Sequence, residues 1–109
     1  LSEALLDRFE LVRLPWQSEA EEREIVRMQT GAPAEIVEES VRIVRATRQD
    51  PRIRRGASVR AAIAVAAIAM KLGDVHRAAA LALPTRIELQ DERATPMAGV
   101  LEDLKKKAL

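Results

Sequence analysis

The sequence contains no cysteine, a single histidine and very few aromatic side chains, with Phe9 and Trp16 the two rings among 109 residues. The absence of cysteine excludes disulfides and thiolate metal sites, and one histidine argues against a zinc site. Because 48% of the residues are nevertheless hydrophobic, the composition predicts closely packed helices rather than a β-sandwich or barrel.

An excess of charge of one sign is also lacking. Although 32% of the residues are charged, the formal net charge is +1, so the chain as a whole should not attract nucleic acid or an anionic membrane. The longest apolar run, at 61–70, is about half of the roughly 20 residues that a membrane span requires. No leader with a charged and then an apolar segment opens the chain. We therefore expect a cytoplasmic protein.

Cap residues, prolines and apolar periodicity predict a small all-α helical bundle. The predicted helix starts and stops are Ser18, Gly31, Ser58, Gly73, Asp74 and Thr95. The expected helices cover residues 18–28, 33–48, 58–72, 74–83 and 95 to the end. The third should be central, because it carries no charge between Arg60 and Lys71. Residues 51–56 are expected to form a basic loop and residues 86–89 a short extended piece. The alternation at 9–14 predicts an N-terminal strand, which would need a sheet from outside this chain.

Several catalytic motifs are missing. The chain has no glycine-rich phosphate-binding loop and no acidic pair at the end of an apolar strand to hold magnesium. It also has no serine–histidine–acid or cysteine–histidine set with enough members for nucleophilic catalysis. By itself this chain is not expected to catalyse a reaction.

Two arginines lie in short, distinctive sequences. Arg8 lies in Leu-Leu-Asp-Arg-Phe at 5–9, and Arg60 lies in Gly-Ala-Ser-Val-Arg at 56–60, where the central helix begins. The planar guanidinium suits the charge of a phosphoryl group in transfer. An arginine in the first turn of a buried helix is costly unless its charge meets an anion. Gly56 would allow a close approach or an unusual backbone angle, and Ser58 would cap the helix.

These two sequences, in this order, resemble the second half of ring-forming AAA+ ATPases related to MoxR and to the I subunit of magnesium chelatase. The resemblance implies that Arg8 is an arginine finger, a catalytic residue acting on ATP in a neighbouring subunit. It implies that Arg60 is the sensor-2 residue, which contacts the nucleotide bound in its own subunit together with Gly56 and Ser58. Val59 stands where relatives commonly have proline.

The same resemblance implies a domain organisation. Residues 1–15 would end the AAA+ core, and residues 16–109 would form the helical lid. ATP and Mg would belong to the longer protein, and this chain alone would hold neither. The expected partners are the N-terminal core domain, the neighbouring subunits of a hexameric ring, and a protein with a von Willebrand A domain. The ring would remodel or metallate such partner proteins. Neither a membrane nor nucleic acid is expected as a partner.

Other interpretations of the sequence stay open. Arg8 could be a surface arginine paired with Asp7 or Glu3, and Arg60 could be held by a nearby carboxylate. The chain could instead be a stand-alone helical DNA-binding or protein-interaction module, since the stretch 48–60 is locally basic. A plain structural bundle that forms dimers is a third possibility.

Four further features have both a structural and a functional interpretation. The basic cluster of Arg48, Arg52, Arg54 and Arg55 is expected to be a solvated loop rather than a phosphate or partner contact. Trp16 is expected to anchor the hinge between two domains rather than to pack under an adenine. His76 should be a surface residue without a ligand role. The lysines at 105–107 should match the helix dipole rather than bind nucleic acid.

Overall fold

The computed structural model describes residues 17–109, and this part of the protein is a small, mostly helical bundle. Its helices are α1 (Glu19–Thr30), α2 (Ala34–Thr47), α3 (Val59–Leu72), α4 (Val75–Ala82) and α5 (Met97–Ala108). The predicted all-α fold class is therefore confirmed, and each predicted helix is present within two residues of its expected bounds. The predicted strand at 9–14 lies outside the described residues.

Local cap chemistry explains most of the helix ends. Ser18 begins α1 with a capping box: its Oγ accepts a 3.1 Å bond from the Glu21 N–H, and its own N–H donates to Glu21 Oε1 at 3.0 Å. Gly31 and Gly73 end α1 and α3 in the left-handed conformation, with φ of 68° and 71°. The Asp74 carboxylate accepts bonds from two N–H groups in the first turn of α4. These were the residues predicted to start or stop the helices.

The start of α5 differs from its prediction. Pro96 occupies the cap position itself, and no side chain caps the helix. The Thr95 hydroxyl, predicted to cap α5, instead donates a 2.9 Å bond to the Asp91 carbonyl in the preceding turn. Because threonine hydroxyls also bond local carbonyls, the preceding turn competes with the helix for this group.

A two-stranded antiparallel sheet lies beside the helices. Strand β1 (Ile53–Arg55) pairs with β2 (Glu88–Leu89), so that Ile53 lies opposite Leu89. The extended piece predicted at 86–89 is confirmed for residues 88–89, whereas Arg86 lies in a turn. The prediction of a loop throughout 51–56 is wrong at 53–55. The partner of β1 comes from a distant part of the chain, so local sequence did not show that 53–55 would pair.

Helix α3 is central, as its uncharged sequence predicted. It packs against α1, α2 and α4, and its small side chains let these neighbours approach closely. Helix α5 packs on α2 and α4. The buried residues of α3 are Val59, Ala61, Ala62, Val65, Ala66 and Ala69, and those of α5 include Val100, Leu101 and Leu104.

None of the helices formed by residues 17–109 has both the length and the apolar character that crossing a bilayer demands. The longest two, α2 and α3, have 14 residues each. At about 1.5 Å per residue such a helix is much shorter than the roughly 30 Å hydrocarbon core.

Arg52 ties the turn before β1 to helix α5. Its guanidinium donates to both carboxylate oxygens of Asp50, at 3.0 and 2.7 Å, and to Asp103 at 2.7 Å. The Asp50 side chain is buried, whereas half of the Asp103 side chain is exposed. The hydrogen bond from Arg52, the largest cause, lowers the pKa of both carboxyl groups below their usual value.

We expect this cluster to make folding sensitive to acid. A lowered folded-state pKa gives stability that is complete above the ordinary aspartate pKa of about 3.9 and is lost as pH falls through the folded-state value. Urea unfolding midpoints measured between pH 6 and pH 2.5 should therefore fall less steeply for Asp50→Asn than for the wild type. Asp103→Asn should have a smaller effect, because its carboxylate is half exposed. An unchanged slope in Asp50→Asn would contradict this expectation.

Candidate functional site: the start of helix α3

Arg60 is the second residue of α3 and is partly exposed. Its backbone N–H donates a 3.2 Å bond to Ser58 Oγ, which confirms Ser58 as the cap of this helix. The first turn of α3 contains no acidic residue. Arg60 therefore belongs to the turn at which the helix dipole is positive, and both the dipole and an arginine favour an anion.

Gly56 is needed for space and not for an unusual backbone angle. A Cβ built on Gly56 would lie 2.8 Å from Arg48 Cα and 2.9 Å from Arg48 N. Its φ is not positive, because among the glycines of the described chain only Gly31 and Gly73 have a left-handed φ. Of the two roles predicted for Gly56, the structure shows the close approach: the loop before α3 lies directly on the end of α2.

The backbone N–H and the backbone carbonyl of Ala57 are both hydrogen-bonded to residues at the end of α2. The Ala57 N–H donates a 2.9 Å bond to Thr47 Oγ1, and the Ala57 carbonyl accepts a 2.8 Å bond from Arg48 Nε. Thr47 is fully buried, and its hydroxyl donates to the Val44 carbonyl at 2.6 Å. Since buried backbone groups need partners, Thr47 and Arg48 determine where this loop can lie.

Arg48 also reaches the buried carboxylate of Glu22 in α1. Arg48 Nη1 and Nη2 donate to the two Glu22 oxygens at 2.9 and 2.7 Å, and Arg45 adds a third bond at 2.6 Å. The Glu22 side chain is 1% exposed and that of Arg48 is 8% exposed. Such a buried, doubly bonded ion pair joins α1, α2 and the loop before α3.

Sequence reasoning missed this ion pair. From the sequence alone, Glu22 is one of several early glutamates that suit the positive end of the helix dipole, and Arg45 lies off the apolar stripe of α2, so it is predicted to face water. A usable signal existed: Arg48 follows Val44 by four residues, and Glu22 precedes Val26 by four. Each therefore continues the buried stripe of its helix, where a charge needs a partner.

The basic cluster is mostly neutralised by carboxylates. Arg48 is bound by Glu22, Arg52 by Asp50 and Asp103, and Arg55 contacts Glu88 at 3.4 Å. The prediction of a solvated loop is therefore wrong for Arg48, whose side chain is buried. Arg54 and Arg55 are exposed, as predicted, but they lie in strand β1 rather than in a loop.

Two predicted site residues, Arg8 and Trp16, lie outside the described residues. His76 is exposed, as predicted. Within the described range no three His, Cys, Asp or Glu side chains are grouped so as to hold a metal ion. An open groove of about 440 Å³ runs between α2 and the end of α5, lined in part by Arg42 and Lys107. Residues 56–60 do not line it.

No protein-family model, no curated protein and no solved structure matches this chain.

Proposed function

We propose that this chain is the helical lid of an AAA+ ATPase of the MoxR and magnesium-chelatase type. In this proposal Arg60 binds the phosphates of an ATP held by the core domain of the same subunit, and Arg8 acts on the ATP of a neighbouring subunit. The longer protein supplies the phosphate-binding loop and Mg, and works as a cytoplasmic ring that remodels or metallates other proteins, including von Willebrand A domain proteins.

The observation that carries the proposal is the local structure of the segment that ends in Arg60. The sequence Gly-Ala-Ser-Val-Arg at 56–60 does three separate physical tasks: Gly56 allows close contact with Arg48, Ser58 caps α3, and Arg60 adds a cation to that helix end. An isolated surface arginine would not need Gly56 and Ser58 before it. A phosphate contact does need a cation held at a fixed place.

The DNA-binding alternative has weaker support. Duplex DNA is bound mainly through cations that are available to its phosphates. Of the arginines in 48–55, Arg48, Arg52 and Arg55 each contact a carboxylate within the bundle. The charge that made this stretch look basic is thus largely compensated by acidic side chains.

The coding sequence and one substitution test the proposal. The sequence preceding residue 1 should encode a phosphate-binding loop and an acidic pair at a strand end. In that longer protein, Arg60→Ala should weaken ATP affinity or turnover about tenfold or more, because a hydrogen bond to a charged group contributes about 1.5–3 kcal/mol. Steady-state hydrolysis and a fluorescent-nucleotide titration would measure both quantities.

Arg77→Ala is the matched control for this experiment, because Arg77 is an exposed arginine in the first turn of the neighbouring helix α4. It should leave ATP affinity and turnover unchanged. Wild-type affinity and turnover in Arg60→Ala would end the sensor assignment. Salt-dependent binding of duplex DNA, lost in Arg60→Ala, would instead favour the DNA-binding module.

A further inference from the structure

We propose that Arg48, with Glu22 and Thr47, is a positioning residue that places Arg60 for its contact with nucleotide. This inference rests on the proposed function for its consequence, but its structural part concerns only residues 22–60. The side chains of Glu22 and Arg48 have no role of their own in the ATPase proposal. Their burial and their bonds therefore call for a separate explanation.

The contacts form one continuous path from α1 to Arg60. The Glu22 carboxylate holds the two terminal nitrogens of Arg48, and the third nitrogen, Nε, holds the Ala57 carbonyl. Thr47 binds the N–H of the same residue, so the peptide groups on both sides of Ala57 are fixed. Ser58 follows directly, and its hydroxyl and carbonyl accept bonds from the N–H groups of Arg60 and Ala61 at 3.2 and 3.0 Å.

The planar fork of arginine is what this position requires. Arg48 uses donors that point in two directions, two toward the Glu22 carboxylate and one toward the Ala57 carbonyl. A lysine would keep the positive charge but has a single nitrogen, which cannot bind both the carboxylate and the carbonyl in this geometry. Arg48→Lys should therefore retain the charge balance of the core and release the loop before α3.

The first test measures amide hydrogen exchange in this chain. The Ala57 amide is bonded to the buried hydroxyl of Thr47, so its exchange reports whether the loop stays on α2. We expect Arg48→Lys to speed Ala57 exchange at least tenfold relative to core amides such as that of Val65. Arg52→Lys is the matched control, since Arg52 is likewise held by carboxylates but bonds to Asp50 and Asp103, and it should leave Ala57 exchange unchanged.

The second test measures the consequence for nucleotide in the longer ATPase. Arg48→Lys should raise the KM for ATP about as much as Arg60→Ala does. The double variant should have the KM of Arg60→Ala alone, to within about twofold, because a misplaced arginine and a missing one lose the same contact. Should Arg48→Lys fold poorly, Thr47→Val, which keeps the side-chain shape and removes the hydroxyl, should show the same non-additivity.

The outcomes separate this inference from the proposed function. Wild-type Ala57 exchange in Arg48→Lys, or KM changes that multiply in the double variant, would overturn the positioning role. Faster Ala57 exchange together with an Arg60→Ala variant that responds normally to ATP would overturn the ATPase role of Arg60. That second result would still support the fixing of the loop by Arg48.

Discussion

Glu22→Ala is expected to lower the free energy of unfolding of this chain by about 3–5 kcal/mol, because it leaves the buried guanidinium of Arg48 without its carboxylate. The pair is almost fully enclosed, with side-chain exposures of 1% for Glu22 and 8% for Arg48. Arg45 loses its bond to the same carboxylate. Since a domain of this size is typically stable by about 5–15 kcal/mol, the variant should still fold but unfold at much lower urea concentration.

Three variants would show that burial of the charge causes the loss. Glu24→Ala removes an exposed glutamate from the same helix and should leave the urea midpoint almost unchanged. Glu22→Gln keeps the shape and one oxygen acceptor, so its loss should be smaller than that of Glu22→Ala. Replacing both partners, with Glu22→Leu and Arg48→Met, should cost less than Glu22→Ala alone, because no buried guanidinium is then left without a carboxylate. Arg45 also loses Glu22 in this variant, but its side chain is 32% exposed and can reach water. A Glu22→Ala variant as stable as the wild type would show that water reaches Arg48.

Much of the fold follows from local sequence signals. Ser18 and Glu21 start α1, Gly31 and Gly73 end α1 and α3, and Asp74 starts α4, as these residue types predict. Each signal works within a few residues of chain, where a side chain can reach only the nearest backbone groups. The central position of α3 was also predictable, because a helix with an uncharged run must be covered by its neighbours.

The features that depend on distant parts of the chain were not predictable in this way. Strand β1 forms because residues 88–89 return to pair with it, and Glu22 is buried because Arg45 and Arg48 meet it from another helix. Neither partner can be identified from local propensity. Thr95 shows that a local contact can also be hard to predict. Two nearby backbone partners compete for its hydroxyl, and the sequence does not show which of them it will bond.

The residues of the candidate site can likewise be separated into those that local sequence predicts and those that depend on distant contacts. Ser58 and Gly56 could be assigned from the sequence, because a cap and a close approach are what those residue types do next to a helix. The residues that fix the loop, Thr47 and Arg48, could not be assigned, because their partner Ala57 is reached only after the chain turns back through β1.

Gly56→Ala is expected to destabilise the chain by about 1–3 kcal/mol, because the new methyl group has no room. Its Cβ would lie 2.8 and 2.9 Å from Arg48 Cα and N, which are backbone atoms at the end of α2 and cannot rotate away as a side-chain tip can. Replacing glycine also restricts the unfolded chain, which favours folding by about 0.4–1 kcal/mol. The clash should be the larger effect, since relieving it requires the loop to leave the position set by Thr47 and Arg48.

Gly99→Ala provides the matched control in the same chain. Gly99 lies in the first turn of α5, and a Cβ built there meets no atom within 4 Å. Alanine should therefore keep or raise stability, by up to about 1 kcal/mol, through its better helix propensity. Urea unfolding of the two variants side by side separates the clash from the general effect of removing a glycine. If Gly56→Ala were as stable as Gly99→Ala, the loop before α3 would have room to move away from α2. Arg48 would then not fix its place.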